Sequence, residues 1–307
     1  MTSVIRTEKL TKYYGSHRGI SDVDLEVEKG ETFGFLGPNG AGKTTTIRIL
    51  LDLIRPSSGK AFVFDIESDV DPNAIHRRIG YLPGEFALYD RLTGAQTLEY
   101  FGNLRGGVDR AYQAELIKRL DLDPSRRYRE YSKGNKQKVG LVAALQHKPE
   151  LLLLDEPTSG LDPLVQQTFF ELLREQVKNG ATVFLSSHIL SEVEKTCDRV
   201  AIIREGQIVQ TGRVEALRDL AHHQIELRFD GTPPLAEFQK LQGVSDVSVE
   251  DHVIKLRVLG SITPVVQAAA RLGVTDFLSR EPSLEETFLA QYGRGEAAAA
   301  APAAEVK

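Results

Sequence analysis

The residues with the clearest chemical meaning form a glycine-rich run, Gly-Pro-Asn-Gly-Ala-Gly-Lys-Thr-Thr. The run fits the pattern G-x-x-x-x-G-K-[ST], in which glycines let the backbone curl so that successive N–H groups point at a phosphate. Lys43 supplies a point charge for the outer phosphates, and the Thr44 hydroxyl suits Mg²⁺. The pattern predicts a nucleotide-phosphate site made of Gly37, Pro38, Asn39, Gly40, Ala41, Gly42, Lys43, Thr44 and Thr45.

Two adjacent acids, Asp155 and Glu156, follow a run of four leucines at 151–154. A buried strand would deliver both carboxylates at its C-terminal end, where open α/β sheets bind their ligands. Because neighbouring strand residues face opposite sides, the two acids are expected to have different roles. Asp155 is predicted to hold Mg²⁺, and Glu156 is predicted to orient and deprotonate an attacking water.

Two more segments carry groups that suit the same chemistry. Ser132 is typical of a helix N-cap, and an open helix N-terminus favours an anion. His188 follows a buried strand and has ring nitrogens able to hydrogen-bond a γ-phosphate. In isolation a capped helix and a structural histidine would be the simpler interpretations, but the neighbouring motifs favour binding roles.

Alternating strands and helices must position these groups. Buried strands are predicted at 33–36, 151–154, 182–185 and 200–203, with helices at 44–53, 94–105, 109–120, 134–147, 163–178 and 189–196. Buried strands separated by helices imply an α/β fold with a largely parallel sheet. The alternation of Val23, Leu25 and Val27 with charged residues predicts an antiparallel portion as well.

The pattern changes after about residue 220. Strands are predicted at 223–229, 245–250, 252–258 and 274–279, and helices at 234–242 and 263–272. Their order, βαββαβ, suggests a small ferredoxin-like α+β domain. We therefore predict a nucleotide-binding domain at 1–220, an accessory domain at 221–292 that ends in a helix at about 283–291, and a disordered, alanine-rich tail at 293–307.

Composition narrows the class of protein. The 307 residues carry 38 basic and 43 acidic side chains, a net charge of −5, which argues against a dedicated nucleic-acid binder. No apolar run reaches the roughly 18–20 residues of a membrane span, and the N-terminus lacks the layout of a secretion signal. The single cysteine, Cys197, cannot form an internal disulfide, which fits a reducing cytosol, and we expect it to be a small buried apolar residue.

Over residues 3–220 the order and spacing of these motifs resemble the ATP-binding-cassette (ABC) ATPases, which are P-loop NTPases with a helical subdomain. The segment from Tyr131 to Gln137 stands where that family has its signature motif, which in the family meets the γ-phosphate of ATP bound to the other subunit. The resemblance implies that Tyr14 stacks on adenine; Tyr13 is the fallback, and packing within a strand is the alternative role for Tyr14. It further implies nucleotide contacts from Ser132, Gly134, Asn135 and Asp162, and a switch role for His188.

The sequence departs from the family pattern at three positions. Lys133 and Asn135 differ from the common Leu-Ser-Gly-Gly-Gln form of the signature. Gly84 stands where the family usually has a glutamine that contacts Mg²⁺, the attacking water and the membrane partner. Since glycine has no side chain for this contact, we expect Glu85 or a water molecule to fill the gap.

The resemblance implies ATP and Mg²⁺ as ligands and a head-to-tail dimer with a second copy or a homologous ATPase subunit. It also implies a separate membrane permease on the cytoplasmic face of the membrane, with no nucleic acid expected. The ending from Pro282 to Phe288 and the Tyr-Ser-Lys-Gly signature resemble those of multidrug, daunorubicin-resistance-type exporters. The expected activity is ATP hydrolysis that drives export.

Two alternatives stay open. A soluble ABC ATPase acting on ribosomes or DNA is one, although ribosome-type members usually carry two cassettes and DNA-repair members separate loop and signature by a long coiled coil. A module that binds ATP without hydrolysing it is the other, and it is disfavoured by the presence of Glu156 and His188.

Overall fold

The computed structural model describes residues 3–85, 89–219 and 222–280, with side chains omitted at 217–219 and 222. The chain divides into two compact units, the first ending at Gly212 and the second starting at Arg213. The sequence predicted a boundary after residue 220, and the short helix Val214–Asp219 lies between the two positions.

In chain order the elements of the first unit are β1 (Ser3–Tyr14), β2 (His17–Glu28), β3 (Thr32–Leu36), α1 (Lys43–Leu50), β4 (Ser58–Val63), β5 (Ile66–Glu67), α2 (Pro72–His76), β6 (Ile79–Leu82), α3 (Gly94–Leu104), α4 (Arg110–Arg119), a 3-10 turn (Tyr128–Glu130), α5 (Lys133–Leu145), β7 (Leu151–Asp155), α6 (Pro163–Lys178), β8 (Thr182–Ser187), α7 (Leu190–Thr196), β9 (Arg199–Arg204) and β10 (Gln207–Arg213).

A six-stranded sheet, in the order β10-β9-β3-β8-β7-β6, carries the candidate site. Strands β9, β3, β8, β7 and β6 pair in parallel, and every residue of β3, β7 and β8 is buried. Strands buried on both faces need continuous apolar runs, which explains the leucines of β7. Because parallel strands end at one edge, the glycine-rich run, the two acids and His188 follow three neighbouring strands at that edge.

A second, antiparallel sheet has the order β2-β1-β4-β5. In β2, Val23, Leu25 and Val27 are buried and alternate with exposed acids, as the sequence predicted. One apolar core joins the two sheets through α1, with Ile47 of the helix packed among Leu10 and Phe35. The core therefore fixes the helix that begins at the glycine-rich run.

The predicted helices of the first unit are confirmed to within three residues at their ends. Strands β1, β4, β5 and β6 and helix α2 were left unassigned by sequence analysis. Strand β6 is only four residues long and includes Gly80, and β4 begins with Ser58 and Gly59. Neither strand therefore shows the alternation of apolar and polar residues by which a strand is recognised. Pairing with longer neighbours creates these strands, and single-sequence patterns do not contain that information.

The second unit contains α8 (Val214–Asp219), β11 (His222–Arg228), α9 (Leu235–Gln239), β12 (Val244–Glu250), β13 (Val253–Leu259), α10 (Thr263–Arg271) and β14 (Asp276–Arg280). Its sheet has the order β12-β13-β11-β14, with antiparallel pairs throughout. Phe238 of α9 and Val265 of α10 pack into its own apolar core. Its assignment as a ferredoxin-like domain stays a prediction. The predicted helix at 283–291, the 282–288 ending and the tail lie outside the described residues.

Two smaller expectations concern Cys197 and membrane spans. Cys197 is buried, as expected, and burial raises the pKa of its thiol to about 12. Of the helices in the described ranges, none combines the length and the apolar character needed to cross a bilayer.

Candidate functional site

The glycine-rich loop between β3 and α1 depends on two glycines. A Cβ on Gly37 would lie 2.3 Å from the carbonyl oxygen of Ile203. Gly42 has a φ of 110°, and a Cβ there would lie 2.4 Å from the Ile20 side chain. Any other residue would collide at both positions, so only glycine lets the loop backbone pack this closely against Ile203 and Ile20.

Lys43 begins α1 and is buried. Its Nζ donates to the carbonyl oxygens of Gly37 at 2.6 Å and Pro38 at 3.2 Å, and lies 3.1 Å from Glu156 Oε1. No side chain caps this end of α1 within the described part of the chain. The first N–H groups of the helix and the ammonium are therefore aimed at the same space, which favours an anion.

The hydroxyl of Thr44 donates to Asp155 Oδ2 at 2.7 Å. The other oxygen, Asp155 Oδ1, accepts from Ser186 Oγ at 2.5 Å, and Asp155 is almost fully buried. Burial raises the pKa of nearby Tyr81 to about 12, and the negative charge of Asp155 adds to that rise. A hydroxyl and a carboxylate in direct contact, within a negative field, form a pair of hard oxygen ligands. Sequence reasoning missed Ser186, although it is the penultimate residue of the buried strand β8, two residues before His188.

Glu156 leaves the strand with a φ of 49°, in the left-handed region that non-glycine residues rarely adopt. Its amide donates to Ser186, to the carbonyl oxygen at 3.2 Å and the hydroxyl at 3.1 Å. The turn separates the two acids: Asp155 stays in the interior, whereas the Glu156 carboxylate lies between Lys43 and His188. His188 Nδ1 is 2.6 Å from Glu156 Oε2, and among the described residues Glu156 Oε1 accepts no well-aligned hydrogen bond.

Gly84 follows β6 and faces the same carboxylate. A Cβ on this residue would lie 3.3 Å from Asp155 Oδ2. Position 84 therefore points at the Thr44–Asp155 pair, and here it contributes no side chain. The adjacent Glu85 is exposed.

A pocket of about 300 Å³ opens in front of the loop. Tyr14 lines it and Tyr13 does not, and the Tyr14 hydroxyl lies 3.5 Å from Thr45 Oγ1. A Cβ on Gly19 would lie 2.9 Å from the Tyr14 ring, so glycine leaves room for that ring. Sequence reasoning missed Gly19, whose place beside Tyr14 follows from the β1–β2 hairpin register. The lining residues are Tyr14, Gly19, Asn39, Gly40, Gly42, Lys43, Thr44, Thr45 and Glu156.

The signature residues form a separate group. Ser132 caps α5 by accepting from the Asn135 amide at 3.3 Å. A Cβ on Gly134 would lie 2.3 Å from the carbonyl oxygen of Gly160, so helix and loop meet there at backbone distance. Asp162 caps α6 through two backbone amides. Although these residues are predicted to contact nucleotide, none of them lines the pocket of the same chain.

Comparisons with known proteins agree on one family. The family model described as "ABC transporter" matches residues 20–159. The bacitracin transport ATP-binding protein BcrA of Enterococcus faecalis is 32% identical over 96% of this chain and 98% of that protein. The daunorubicin/doxorubicin resistance ATP-binding protein DrrA of Streptomyces peucetius is 34% identical over 95% of this chain and 93% of its own. A solved structure of an ATP-binding subunit of an ABC transporter superposes with a TM-score of 0.65 at 31% identity, over 70% of this chain and 92% of that one.

Proposed function

Because the chain belongs to the ABC transporter family of ATP-binding proteins, we propose that it hydrolyses ATP to power an exporter whose channel is a separate membrane protein. The observation that carries this proposal is the Glu156 carboxylate, held between Lys43 and His188 at the mouth of the phosphate pocket. A plain nucleotide-binding module has no need of such a base.

The glycine-rich loop at 37–45 provides the groups that bind the phosphates of ATP. The triphosphate enters the pocket in front of α1, where backbone amides and the Lys43 ammonium meet its charge. Lys43 exchanges its present partners, the carbonyls of Gly37 and Pro38, for phosphate oxygens. Tyr14 stacks on the base at the open side of the pocket.

The Thr44–Asp155 pair fits Mg²⁺. This ion takes oxygen ligands and is usually held by one or two carboxylates together with phosphate oxygens. Among the residues described there is no cluster of three or more carboxylate, histidine or cysteine ligands, which agrees with an ion shared with ATP. Bound Mg²⁺ supplies positive charge against the phosphate oxygens and so stabilises the charge that develops during transfer.

Hydrolysis needs a base beside the γ-phosphate, and Glu156 fills that role. Water attacks the γ-phosphorus, the bond to the bridging oxygen breaks, and Glu156 Oε1 accepts the proton of the water. Lys43 stabilises the negative charge, and His188 orients the carboxylate and hydrogen-bonds the γ-phosphate. The products are ADP and phosphate.

The signature group completes the site only in a dimer. ABC cassettes act as dimers, and the capped N-terminus of α5 carries the features of an anion site but does not line this chain's own pocket. In the dimer Ser132, Gly134 and Asn135 meet the partner's ATP, and the loop at Asp162 lies at the junction. ATP therefore favours the closed pair, and hydrolysis removes that preference.

Export is the direction favoured by the relatives, which include proteins named for daunorubicin/doxorubicin resistance and linearmycin resistance. The chain acts at the cytoplasmic face of the membrane, held there by its permease. A role on ribosomes or nucleic acid has no feature of the described residues in its favour, and the net charge of −5 opposes it.

Affinity purification of tagged protein from detergent-solubilised membranes tests the transport role. We expect a multi-spanning membrane protein in near-equal amount, identified by mass spectrometry. The Lys43→Ala variant is purified in parallel as the control, because it shows which co-purifying proteins require ATP binding by the tagged protein. Recovery of ribosomal proteins or nucleic-acid factors in place of a membrane protein would overturn the proposed transport role.

A further inference from the structure

The backbone of Glu156 is held in an uncommon conformation from two sides. Its φ of 49° costs conformational energy that the surroundings must supply. On the side of the sheet, Ser186 accepts its amide hydrogen. A hold on the carbonyl side is needed as well, because with only the amide fixed, rotation about φ would move the carbonyl and the side chain together and carry the carboxylate away from Lys43.

The side chain of Gln137 provides that second hold. Its Nε2 donates to the carbonyl oxygens of Glu156 at 3.3 Å and Pro157 at 3.0 Å. Gln137 is only 3% exposed, so these bonds form away from solvent. The Glu156 carbonyl also accepts from the Ser159 amide at 3.2 Å, so loss of Gln137 would weaken the hold on Glu156 and remove a donor from the Pro157 carbonyl. The residue does not line the phosphate pocket.

Gln137 belongs to α5 and ends the signature segment, about one turn after Gly134. The same helix meets the loop after Glu156 a second time, where Gly134 lies against the carbonyl oxygen of Gly160. Two contacts to one loop make the start of α5 and that loop move together. A hydrogen bond at one point and a close backbone approach at the other leave little freedom between them.

We propose that Gln137 is a positioning residue for ATP hydrolysis: its amide fixes the left-handed turn at Glu156 and thereby aims the carboxylate at the attacking water. The inference rests on the proposed role of Glu156 as the base. It adds a consequence for the dimer, because the helix that meets the partner's ATP is the one that holds this chain's own Glu156. ATP bound to the partner subunit therefore affects the position of Glu156 in this chain's own site.

The test compares three variants of the full chain. Gln137→Leu removes the amide, and Gln137→Glu keeps the size but, when ionised, has no hydrogen to donate. Gln146→Leu is the matched control, because Gln146 is equally buried, follows the end of the same helix and bonds to Leu98 and Gln113. All three changes disturb α5, but only the first two release Glu156.

We expect kcat for ATP to fall about ten- to a hundredfold in both Gln137 variants, as for a misplaced catalytic group, while KM and ATP affinity stay within twofold. Gln146→Leu should keep kcat within about threefold of the wild-type value. A fall in kcat no larger than that of Gln146→Leu, or an equal loss of ATP affinity, would overturn the assignment.

Amide hydrogen exchange gives a readout that does not depend on turnover. In nucleotide-free protein the amides of residues 156 and 158–161 should exchange at least tenfold faster in Gln137→Leu and at the wild-type rate in Gln146→Leu. Unchanged exchange in Gln137→Leu would overturn the positioning role. Absence of ATP turnover by the wild-type protein would instead count against the proposed function, so the two failures are distinct.

Discussion

Thr44 and Asp155 are 111 positions apart in the chain, yet the Thr44 hydroxyl donates to Asp155 Oδ2 at 2.7 Å. Thr44 lies in the first turn of the helix after β3, and Asp155 ends β7. The sheet order, in which β8 alone separates these strands, brings both to the same edge. The hydrogen bond shows that the two oxygens lie side by side at this edge of the sheet.

Replacing Thr44 by valine removes the hydroxyl and keeps the shape. We expect the Mg²⁺ concentration for half-maximal ATP hydrolysis to rise about ten- to a hundredfold, because one oxygen ligand is lost. Thr46→Val is the matched control, since Thr46 is buried in the same helix and its hydroxyl donates to Gly42. A Mg²⁺ titration that shifts equally in both variants would contradict the assignment of Thr44.

The position of Gly84 beside Asp155 leads to a second prediction about Mg²⁺ binding. A leucine there would crowd Asp155, so Gly84→Leu should raise the half-maximal Mg²⁺ concentration about tenfold and leave metal-free nucleotide binding unchanged. Gly231→Leu is the control, because open space surrounds that glycine. If Gly84→Leu had a normal Mg²⁺ titration, position 84 would not face the cation.

Tyr14 and Tyr13 are adjacent and about equally exposed, at 46% and 44%, but only Tyr14 lines the pocket. Tyr14→Ala should weaken ATP binding by about 1–3 kcal/mol through loss of base stacking. Tyr13→Ala should leave it unchanged. Calorimetric titration with ATP distinguishes the two, and the reverse order of effects would assign the stacking role to Tyr13.

Much of the site was predictable because its residues belong to local patterns. The loop from Gly37 to Thr45 needs glycines that the sequence displays, and the acids after 151–154 stand at the end of a recognisable buried strand. Asp155 and Glu156 lie in different surroundings, but the cause is the left-handed turn at Glu156 rather than simple strand alternation. Their separate roles stay a prediction.

The parts that escaped prediction depend on contacts between distant segments. Gly19 lies beside Tyr14 only because the β1–β2 hairpin has its particular register, and Ser186 reaches Asp155 across two parallel strands. Short strands such as β6 form because neighbours pair with them, which a single sequence does not reveal.

Burial of His147 predicts a pH dependence of stability. Burial lowers the pKa of His147 to about 4, with a further contribution from Arg105, while the unfolded value is near 6.5. The unfolded state therefore binds more protons as pH falls from about 6.5 towards 4, and the stabilising contribution present above pH 6.5 is lost in that range.

The His147→Gln variant retains a donor for the carbonyl oxygen of Ile79 and does not titrate. Between pH 7 and pH 5 the wild-type protein should lose about 1–2 kcal/mol of unfolding free energy relative to this variant. Urea denaturation at both pH values measures the difference. Parallel losses in the two proteins would contradict the pKa assigned to His147.

The central claim is that Glu156 is the base for ATP hydrolysis at this site. The most direct measurement is MgATP turnover by the wild-type protein and Glu156→Gln, followed by light scattering at saturating MgATP. We predict turnover by the wild type, a loss of about 10²- to 10⁴-fold in the variant, and an ATP-bound dimer of the variant. Undiminished turnover in Glu156→Gln, or a variant that stays monomeric with ATP, would contradict the account.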